Sequence, residues 1–349
     1  MNSLYWFNPE NDLALAAGLT NYTPPRAAIA LRRGGALLPS LWTDSTDRIL
    51  VVDPTEPAPQ ITRSTPENLT PVPWGWSPYT LRTLRACGAD ADALPTPDDV
   101  ENVRQLSHRA IATRVLAAID YPESLLPRVA CSLSETMEAI DAFGGDCVLK
   151  LPWSCSGRGI VTTAGKTNLA TLVMGMLNRQ GSITIEPRYQ NKLNDFATLF
   201  FKEGNKVEFQ GLSLFSAGDS GQYAGNVIAP QWQLQERIGV DLAPYIKSLT
   251  SALSVQLEGY DGWIGVDMLS YRSDDGVLKV APCIEVNLRF TMGVAALLAS
   301  RSGKLPWENA VLRVALPGER IPENAIALSA TEPSRSEPLA WPCVVVYQP

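Results

Sequence analysis

Three polar residues alternate with hydrophobic ones in the stretch APCIEVNLRFTMG. Glu285, Asn287 and Arg289 stand two positions apart. Alternate side chains of a strand point to the same face, about 6.6 Å apart, so one face carries a carboxylate, an amide and a guanidinium. Oxygen donors of this kind suit Mg²⁺, which commonly shares its ligands with phosphates, and the arginine suits phosphate oxygens.

A second acid lies on the strand that precedes this one. Asp267 ends the apolar stretch GWIGVD, and the Asp-Asp-Gly turn at 274–276 is a strong hairpin signal. The hairpin places Asp267 beside Glu285, and we therefore predict that these acids and Asn287 bind Mg²⁺. The alternative is a solvated polar face of an antiparallel hairpin, which is the commoner meaning of an isolated Glu-x-Asn-x-Arg pattern.

A lysine followed by small residues marks a candidate phosphate loop in VLKLPWSCSGRGIV. Lys150 ends a predicted strand, and the loop offers small side chains and free backbone N–H groups that can surround phosphates. The loop residues are Ser154, Ser156, Gly157 and Gly159. A flexible hairpin with an exposed lysine is the alternative. The nearby GIVTTAGKT is no Walker A loop, because five residues instead of four separate its glycines.

Local patterns predict the elements that position these residues. Alternation on both sides of the glycine loop predicts a hairpin over 147–163, and SITIEPRYQ predicts a strand that carries Glu186. The stretches 195–204 and 206–217 follow in meander order and predict an antiparallel sheet. A helix over 241–258 precedes the strand that carries the first acid.

The first third of the chain predicts a small parallel α/β unit. A strand at 3–7 leads into the polar loop NPENDLA, a helix follows Pro25, and a short buried strand covers 48–53. The next helix spans 77–88, with a serine cap and a glycine stop. One further helix is predicted over 96–120, because acids come early and its apolar residues recur at helical spacing.

Composition narrows the classes of function. The 349 residues include 45% hydrophobic and 19% charged residues, and the net charge of −7 argues against a general nucleic-acid binder. One histidine and six scattered cysteines make a His-based triad and a zinc site improbable. The N-terminal residues lack a signal-peptide pattern and no apolar run suits a membrane helix, so we expect a cytoplasmic protein with reduced thiols and no membrane partner.

Together these motifs resemble the ATP-grasp superfamily over about residues 105–300. In that family a basic residue begins a helix, a lid with a lysine and a mobile loop covers the ATP phosphates, and a strand-end acid and a ribose-binding acid follow. An Asp and a Glu-x-Asn pair then bind two Mg²⁺ ions, with an Arg after them. The residues that match are, in order, Arg109, Lys150, the loop 154–159, Glu186, Asp195, Asp267, Glu285, Asn287 and Arg289.

The resemblance implies roles for these residues. The nucleotide would contact Arg109, Lys150, Ser154, Ser156, Gly157, Gly159, Glu186 and Asp195. Asp267, Glu285 and Asn287 would bind magnesium, while Arg289 and Lys150 would act in catalysis. The sequence departs from the family at three points: the loop is poor in glycine, Arg109 and Asp195 replace the usual lysine and glutamate, and Arg114 is an alternative to Arg109.

The resemblance also implies an α/β fold of three domains. These are an N-terminal α/β domain (1–104), a linking helix with the lid (105–190) and a C-terminal antiparallel-sheet domain (191–349), with ATP between the last two. The N-terminal domain commonly helps to bind the second substrate in this family. The candidate substrate residues are Asn8, Asn11, Asp12, Gln222, Tyr223 and Asn226; a capped turn at the start of a helix is the alternative for the first three.

The expected function is that of an ATP- and Mg²⁺-dependent ligase. A small carboxylate would be activated as an acyl-phosphate and joined to an amine or a thiol. Two other functions stay open: a nucleotide-binding module without catalysis, which the atypical loop favours, and a kinase that phosphorylates a hydroxyl. The sequence identifies neither the acid nor the amine, and it does not predict the oligomeric state.

Overall fold

A computed structural model describes residues 2–52, 60–61, 69–154, 157, 159–217 and 223–349. Three β-sheets organise this part of the chain, one after another along the sequence. Within the described residues, no helix combines the length and the apolar character that crossing a membrane requires.

The N-terminal sheet has the order β3-β2-β1-β4 and is parallel except for β3. Its strands are β1 (Ser3–Trp6), β2 (Arg48–Val51), β3 (Gln60–Ile61) and β4 (Thr70–Pro73). The helices of this region are α1 (Asn11–Ala17), α2 (Arg26–Gly34), α3 (Pro78–Ala86) and α4 (Pro97–Leu106), with short 3₁₀ helices at Leu38–Leu41 and Ala91–Ala93. The predicted parallel α/β unit is confirmed, and Ser77 caps α3 as expected, since its side chain accepts a hydrogen bond from the Thr80 N–H.

Two local predictions in this region were wrong. The stretch NPENDLA is not a loop throughout, because α1 begins at Asn11. The helix predicted over 96–120 is two helices, α4 and α5 (Ala110–Ala118). At the break, the Arg109 N–H donates to the carbonyl of Pro152 (3.1 Å) and the Ala110 N–H donates to His108 Nδ1 (3.0 Å). These partners replace the hydrogen bonds that a continuous helix would make.

The second sheet is a four-stranded antiparallel sheet with the order β5-β8-β6-β7. Its strands are β5 (Arg128–Ala130), β6 (Cys147–Lys150), β7 (Ile160–Thr162) and β8 (Ile183–Pro187), and its helices are α6 (Leu133–Ala142) and α7 (Leu169–Gln180), after a 3₁₀ turn at Glu123–Leu125. The helices and sheet enclose a core of their own, which includes Ile140, Leu149 and Val173. The hairpin predicted over 147–163 is confirmed by the pairing of β6 with β7.

The third sheet has eight strands in the order β13-β12-β9-β10-β11-β14-β16-β15 and is antiparallel throughout. The strands are β9 (Lys192–Glu203), β10 (Lys206–Ala217), β11 (Tyr223–Ile228), β12 (Gly262–Arg272), β13 (Leu278–Asn287), β14 (Ala310–Ala315), β15 (Ile326–Ala327) and β16 (Cys343–Tyr347); the helices are α8 (Gln231–Ile238), α9 (Ala243–Gln256) and α10 (Met292–Ser302). The predicted meander is confirmed.

The large sheet is covered on both of its faces. Its strands β12 and β13 lie where it meets the N-terminal region and the second sheet. One core joins it to α5, α8 and α9 through residues such as Val115, Leu234 and Leu253. The other core joins it to α10 and to the N-terminal region through residues such as Phe7 and Leu38. The side chains of β12 and β13 that face this junction form the candidate site.

Candidate active site

The β12–β13 pairing brings the predicted metal ligands together. Asp267 lies directly opposite Glu285, and Gly265 lies opposite Asn287. The Asn287 amide donates to Asp267 Oδ2 at 3.2 Å. The alternation of polar residues in the sequence therefore becomes a cluster of two carboxylates and one amide on a single face of the hairpin.

The surroundings of Asp267 disfavour its negative charge. Burial raises its pKa to about 7, and the negative charge of Glu285 adds to the rise, although Arg289, Asn287 and Arg109 oppose it. A cation between the two acids would relieve this repulsion. The cluster thus fits Mg²⁺, which accepts a few carboxylate and amide oxygens and completes its shell with phosphate and water.

The protein alone does not complete a metal shell here. Across the described part of the chain, no group of three or more His, Cys, Asp and Glu side chains is arranged to hold a metal ion. Two carboxylates with one amide match an ion that arrives with a nucleotide better than a permanent structural metal.

Arg109 connects the start of α5, the loop after β6 and Glu285 of β13. Its guanidinium forms an ion pair with Glu285 Oε2 at 2.9 Å. It also donates to the carbonyl of Leu151 (3.0 Å) and to Ser154 Oγ (2.9 Å). Arg114 instead donates to the Gln256 carbonyl at the surface. The structure therefore brings Arg109, rather than Arg114, to the site.

Lys150 and Glu186 form a buried ion pair that the sequence did not reveal. The Lys150 ammonium lies 2.5 Å from Glu186 Oε2, and the two side chains are only 5% and 7% exposed. The ammonium also donates to the Ile284 carbonyl at 3.4 Å, next to the acid of β13. Lys150 is thus held at the edge of the cluster, and the carboxylate of Glu186 on β8 balances its charge.

The loop between β6 and β7 is described in part. Gly157 and Gly159 have φ of 74° and 72°, a left-handed conformation that favours glycine. A side chain at Gly159 would also come within 2.8 Å of the Leu151 side chain. Ser156 lies outside the described residues. Asp195 lies in β9, where it pairs with Lys192 at 2.7 Å, and its role in ribose binding stays a prediction.

A cavity of about 360 Å³ opens beside the acids. Asp267, Glu285 and Asn287 line it from the large sheet, and α1 and α2 line it from the N-terminal region. Across it, Arg289 binds Asp12 with two hydrogen bonds of 2.8 and 2.7 Å. Asp12 therefore lines the cavity, and its role as a substrate residue stays a prediction.

The other candidate substrate residues have different surroundings. Asn8 is fully buried and its amide donates to the Gly75 carbonyl and to Thr80 Oγ1, both at 3.0 Å, so it stabilises the loop instead of facing the cavity. Asn11 is also buried, and in the amide orientation that satisfies its neighbours it donates to the carbonyls of Gly75 (3.0 Å) and Trp76 (3.1 Å). The position of Asn8 thus differs from our expectation, whereas Asn11 borders a small pocket that Glu285, Asn287 and Arg289 also line, and its role as a substrate residue stays a prediction.

Asn226 lines the cavity, with its amide donating to Ser213 Oγ at 2.6 Å. Tyr223 begins β11, and only its backbone is described; Gln222 lies outside the described residues. The sequence did not predict that Ala27, Ala28 and Leu31 of α2 line the cavity. The stretch RAAIALRR predicts a helix, but not which face of that helix lies against the cavity.

The sequence and the fold were compared with known proteins. No protein-family model matches the sequence. Among curated proteins, it is similar to the [butirosin acyl-carrier protein]–L-glutamate ligase of Niallia circulans, with 25% identity over 201 residues. The match covers 55% of this chain and 45% of that protein, so the chain spans less than half of the relative's length.

Among solved structures, the chain is similar to biotin carboxylase from Campylobacter jejuni, crystallised as a β-γ-ATP complex. The TM-score is 0.53 and the identity 13%, over 79% of this chain and 70% of that one. D-alanyl-alanine synthetase A from Vibrio cholerae gives a TM-score of 0.48 at 12% identity, over 86% and 94% of the two chains. At such identities a likeness shows the fold and not the activity. The first structure, whose TM-score exceeds 0.5, shows that the two chains share a fold.

Proposed function

We propose that this chain, which has the ATP-grasp fold, is an ATP-dependent ligase that joins a small carboxylate to an amine or a thiol. The α/β class and the ATP-grasp architecture predicted from the motifs are confirmed. The observation that carries the proposed activity is the cluster of Asp267, Glu285 and Asn287, with Arg109 beside it, at the edge of a ligand-sized cavity. The three-domain division stays part of the proposal, supported by the three separate sheets.

In this proposal ATP binds between the second sheet and the large sheet. Asp267, Glu285 and Asn287 hold the Mg²⁺ ions, which supply positive charge to the phosphates. Lys150 and Arg109 lie at the edge of the same cluster and add positive charge close to the phosphate oxygens. Such a site works by positioning the reactants and by neutralising charge.

The proposed reaction has two steps. A carboxylate oxygen of the substrate attacks the γ-phosphorus of ATP, the bond to the β-phosphate breaks, and ADP leaves. The amine or thiol then attacks the carbonyl carbon of the acyl-phosphate, loses a proton, and releases phosphate that carries the original carboxylate oxygen. Arg289, which lines the cavity next to the metal ligands, stabilises the negative charge on the phosphoryl group during transfer.

The relative from Niallia circulans gives the first substrates to try. Its name describes the joining of L-glutamate to an acyl-carrier protein, so the panel includes L-glutamate and a carrier-protein thiol beside amino acids, dipeptides and small amines. A cytoplasmic location also stays part of the proposal.

The test measures ADP release with the mass of the product. We expect one acid–acceptor pair to give ADP, phosphate and an amide or a thioester. The double variant Asp267→Asn/Glu285→Gln should lose nearly all Mg²⁺·ATP turnover while it keeps the fold, as seen by circular dichroism. Undiminished turnover in this variant would contradict the site. A phosphorylated hydroxyl product would support the kinase, and nucleotide binding without turnover over the whole panel would support the non-catalytic module.

A further inference from the structure

The strand order of the large sheet separates the charged lining of β12 and β13 from the apolar lining that β10 and β14 provide several strands away, and we call these two sides the charged end and the apolar end of the cavity. Asp12 and Arg289 lie at the charged end with the metal ligands. The other walls come largely from apolar side chains of the N-terminal region and the large sheet, among them Phe7, Leu31, Phe215, Met292 and Val314. A volume of about 360 Å³ lies at the lower end of the range for small-molecule pockets, so its ligand is compact.

The polar groups among these walls already have partners. Glu10 lines the cavity but pairs with Arg32, and Asn226 donates to Ser213 Oγ. A charged or strongly polar side chain of a ligand would lose water there and gain little in return. This end of the cavity therefore selects an apolar group.

At the charged end, Asp12 and Arg289 form an ion pair. A ligand must either leave this pair intact or supply a new charged partner to each of the two side chains. The Asp12 and Arg289 side chains are each only 15% exposed, and two short hydrogen bonds join them. A ligand with a carboxylate alone would bind the arginine and leave Asp12 largely buried without a counter-ion, which is strongly unfavourable. A ligand that carries both an ammonium and a carboxylate compensates both groups.

Among the described residues that line the cavity, Arg289 is the only cationic side chain. It therefore provides the single described position for a ligand carboxylate, and that position is two residues from the metal ligand Asn287. Asp12 provides the acidic group next to it. The two positions are adjacent, as are the ammonium and carboxylate groups of an α-amino acid.

We infer that this cavity binds an α-amino acid with an apolar side chain. The ammonium pairs with Asp12, the carboxylate pairs with Arg289, and the side chain lies against the apolar walls. The inference rests on the proposed function, since it names the substrate class of the same site. α2 holds its wall in place, because Arg32 is 3% exposed, pairs with Glu10 and packs over the Trp6 and Tyr79 rings.

The test is isothermal titration calorimetry of the whole chain, saturated with Mg²⁺ and the non-hydrolysable analogue AMP-PNP. Leucine is compared with 4-methylpentanoate, which lacks the ammonium, with 3-methylbutylamine, which lacks the carboxylate, and with glutamate and lysine. We expect leucine to bind at least about 30-fold more tightly than each of the others, because each leaves a charge without its partner or places a charge against the apolar walls.

Two variants separate this arrangement from non-specific binding. Asp12→Asn should reduce the preference for leucine over 4-methylpentanoate to within about threefold, because the ammonium loses its partner. Ala28→Phe, on the cavity wall, should abolish leucine binding while glycine still binds. Ala30→Phe, on the same helix but outside the cavity lining, is the matched control and should bind leucine as the wild type does.

The outcomes distinguish this inference from the proposed function. Binding of AMP-PNP with Mg²⁺ but of no amino acid would overturn the inference and leave the ligase proposal standing. Equal affinity for leucine and 4-methylpentanoate, tighter binding of glutamate than of leucine, or unchanged leucine binding in Ala28→Phe would also overturn it. Failure of AMP-PNP to bind would overturn the proposed function and, with it, the inference.

Discussion

Replacing Asp267 by asparagine should stabilise the metal-free protein above neutral pH and should also remove the proposed Mg²⁺·ATP turnover. The folded-state pKa of Asp267 is raised to about 7 from an ordinary value of 3.8, first by burial and then by the charge of Glu285. A raised pKa means that folding favours the protonated carboxyl. The wild type therefore loses stability as the pH rises from about 4 through 7, and asparagine, which carries no charge, does not.

The size of the effect follows from the pKa change. A rise from 3.8 to about 7 corresponds to about 4 kcal/mol when Asp267 is fully ionised, and most of it, about 3 kcal/mol, falls between pH 5 and pH 8. Because solvent in the cavity reaches this half-buried side chain and screens its charge, we expect a smaller stability difference between the variant and the wild type, about 2 kcal/mol. For a cooperative unit of 150–250 residues this is roughly 4–8 °C in the unfolding midpoint.

The assay is thermal unfolding in EDTA at pH 5, 6, 7 and 8. The midpoint of Asp267→Asn should exceed that of the wild type by an amount that grows with pH, and Mg²⁺ with ADP should reduce the pH dependence of the wild type, because a bound cation relieves the repulsion. Asp98→Asn, an exposed acid in the first turn of α4, is the control and should follow the wild type. A difference between Asp267→Asn and the wild type that does not change with pH would refute the reasoning.

Two further predictions concern the cationic side chains. Arg109→Lys keeps the charge but cannot reach the Leu151 carbonyl, Ser154 and Glu285 together, so we expect a loss of about 2 kcal/mol in urea unfolding; an unchanged midpoint would contradict these contacts. Lys150→Met leaves the Glu186 carboxylate buried without a counter-ion and should cost about 3 kcal/mol. Adding Glu186→Leu should restore most of this loss, and a double variant no more stable than Lys150→Met would contradict the account.

The proximity of Asp267, Glu285 and Asn287 could be predicted from the sequence because its signals are local. A two-residue period places Glu285 and Asn287 on one face, and an Asp-Gly turn pairs their strand with that of Asp267. The order of the other motifs along the chain was enough to predict the ATP-grasp fold. Neither inference needed knowledge of contacts between distant parts of the chain.

The features that escaped prediction depend on long-range contacts. The helix break at 107–109 is stabilised by the Pro152 carbonyl, and no helix-breaking residue marks it in the sequence. The Lys150–Glu186 pair depends on the register of β6 against β8, and the Asp12–Arg289 pair joins residues 277 positions apart. Asn8 was a candidate substrate residue, but it is buried and donates hydrogen bonds to Gly75 and Thr80, which lie far along the chain.

The most direct test of the central claim follows the carboxylate oxygen. Once the substrate panel has identified the acid, it is labelled with ¹⁸O in its carboxylate, and the phosphate released with ADP is analysed by mass spectrometry. Activation as an acyl-phosphate predicts one ¹⁸O atom in each phosphate and an amide or a thioester as product. Unlabelled phosphate, or a phosphorylated hydroxyl product without free phosphate, would contradict the claim that this site activates a carboxylate.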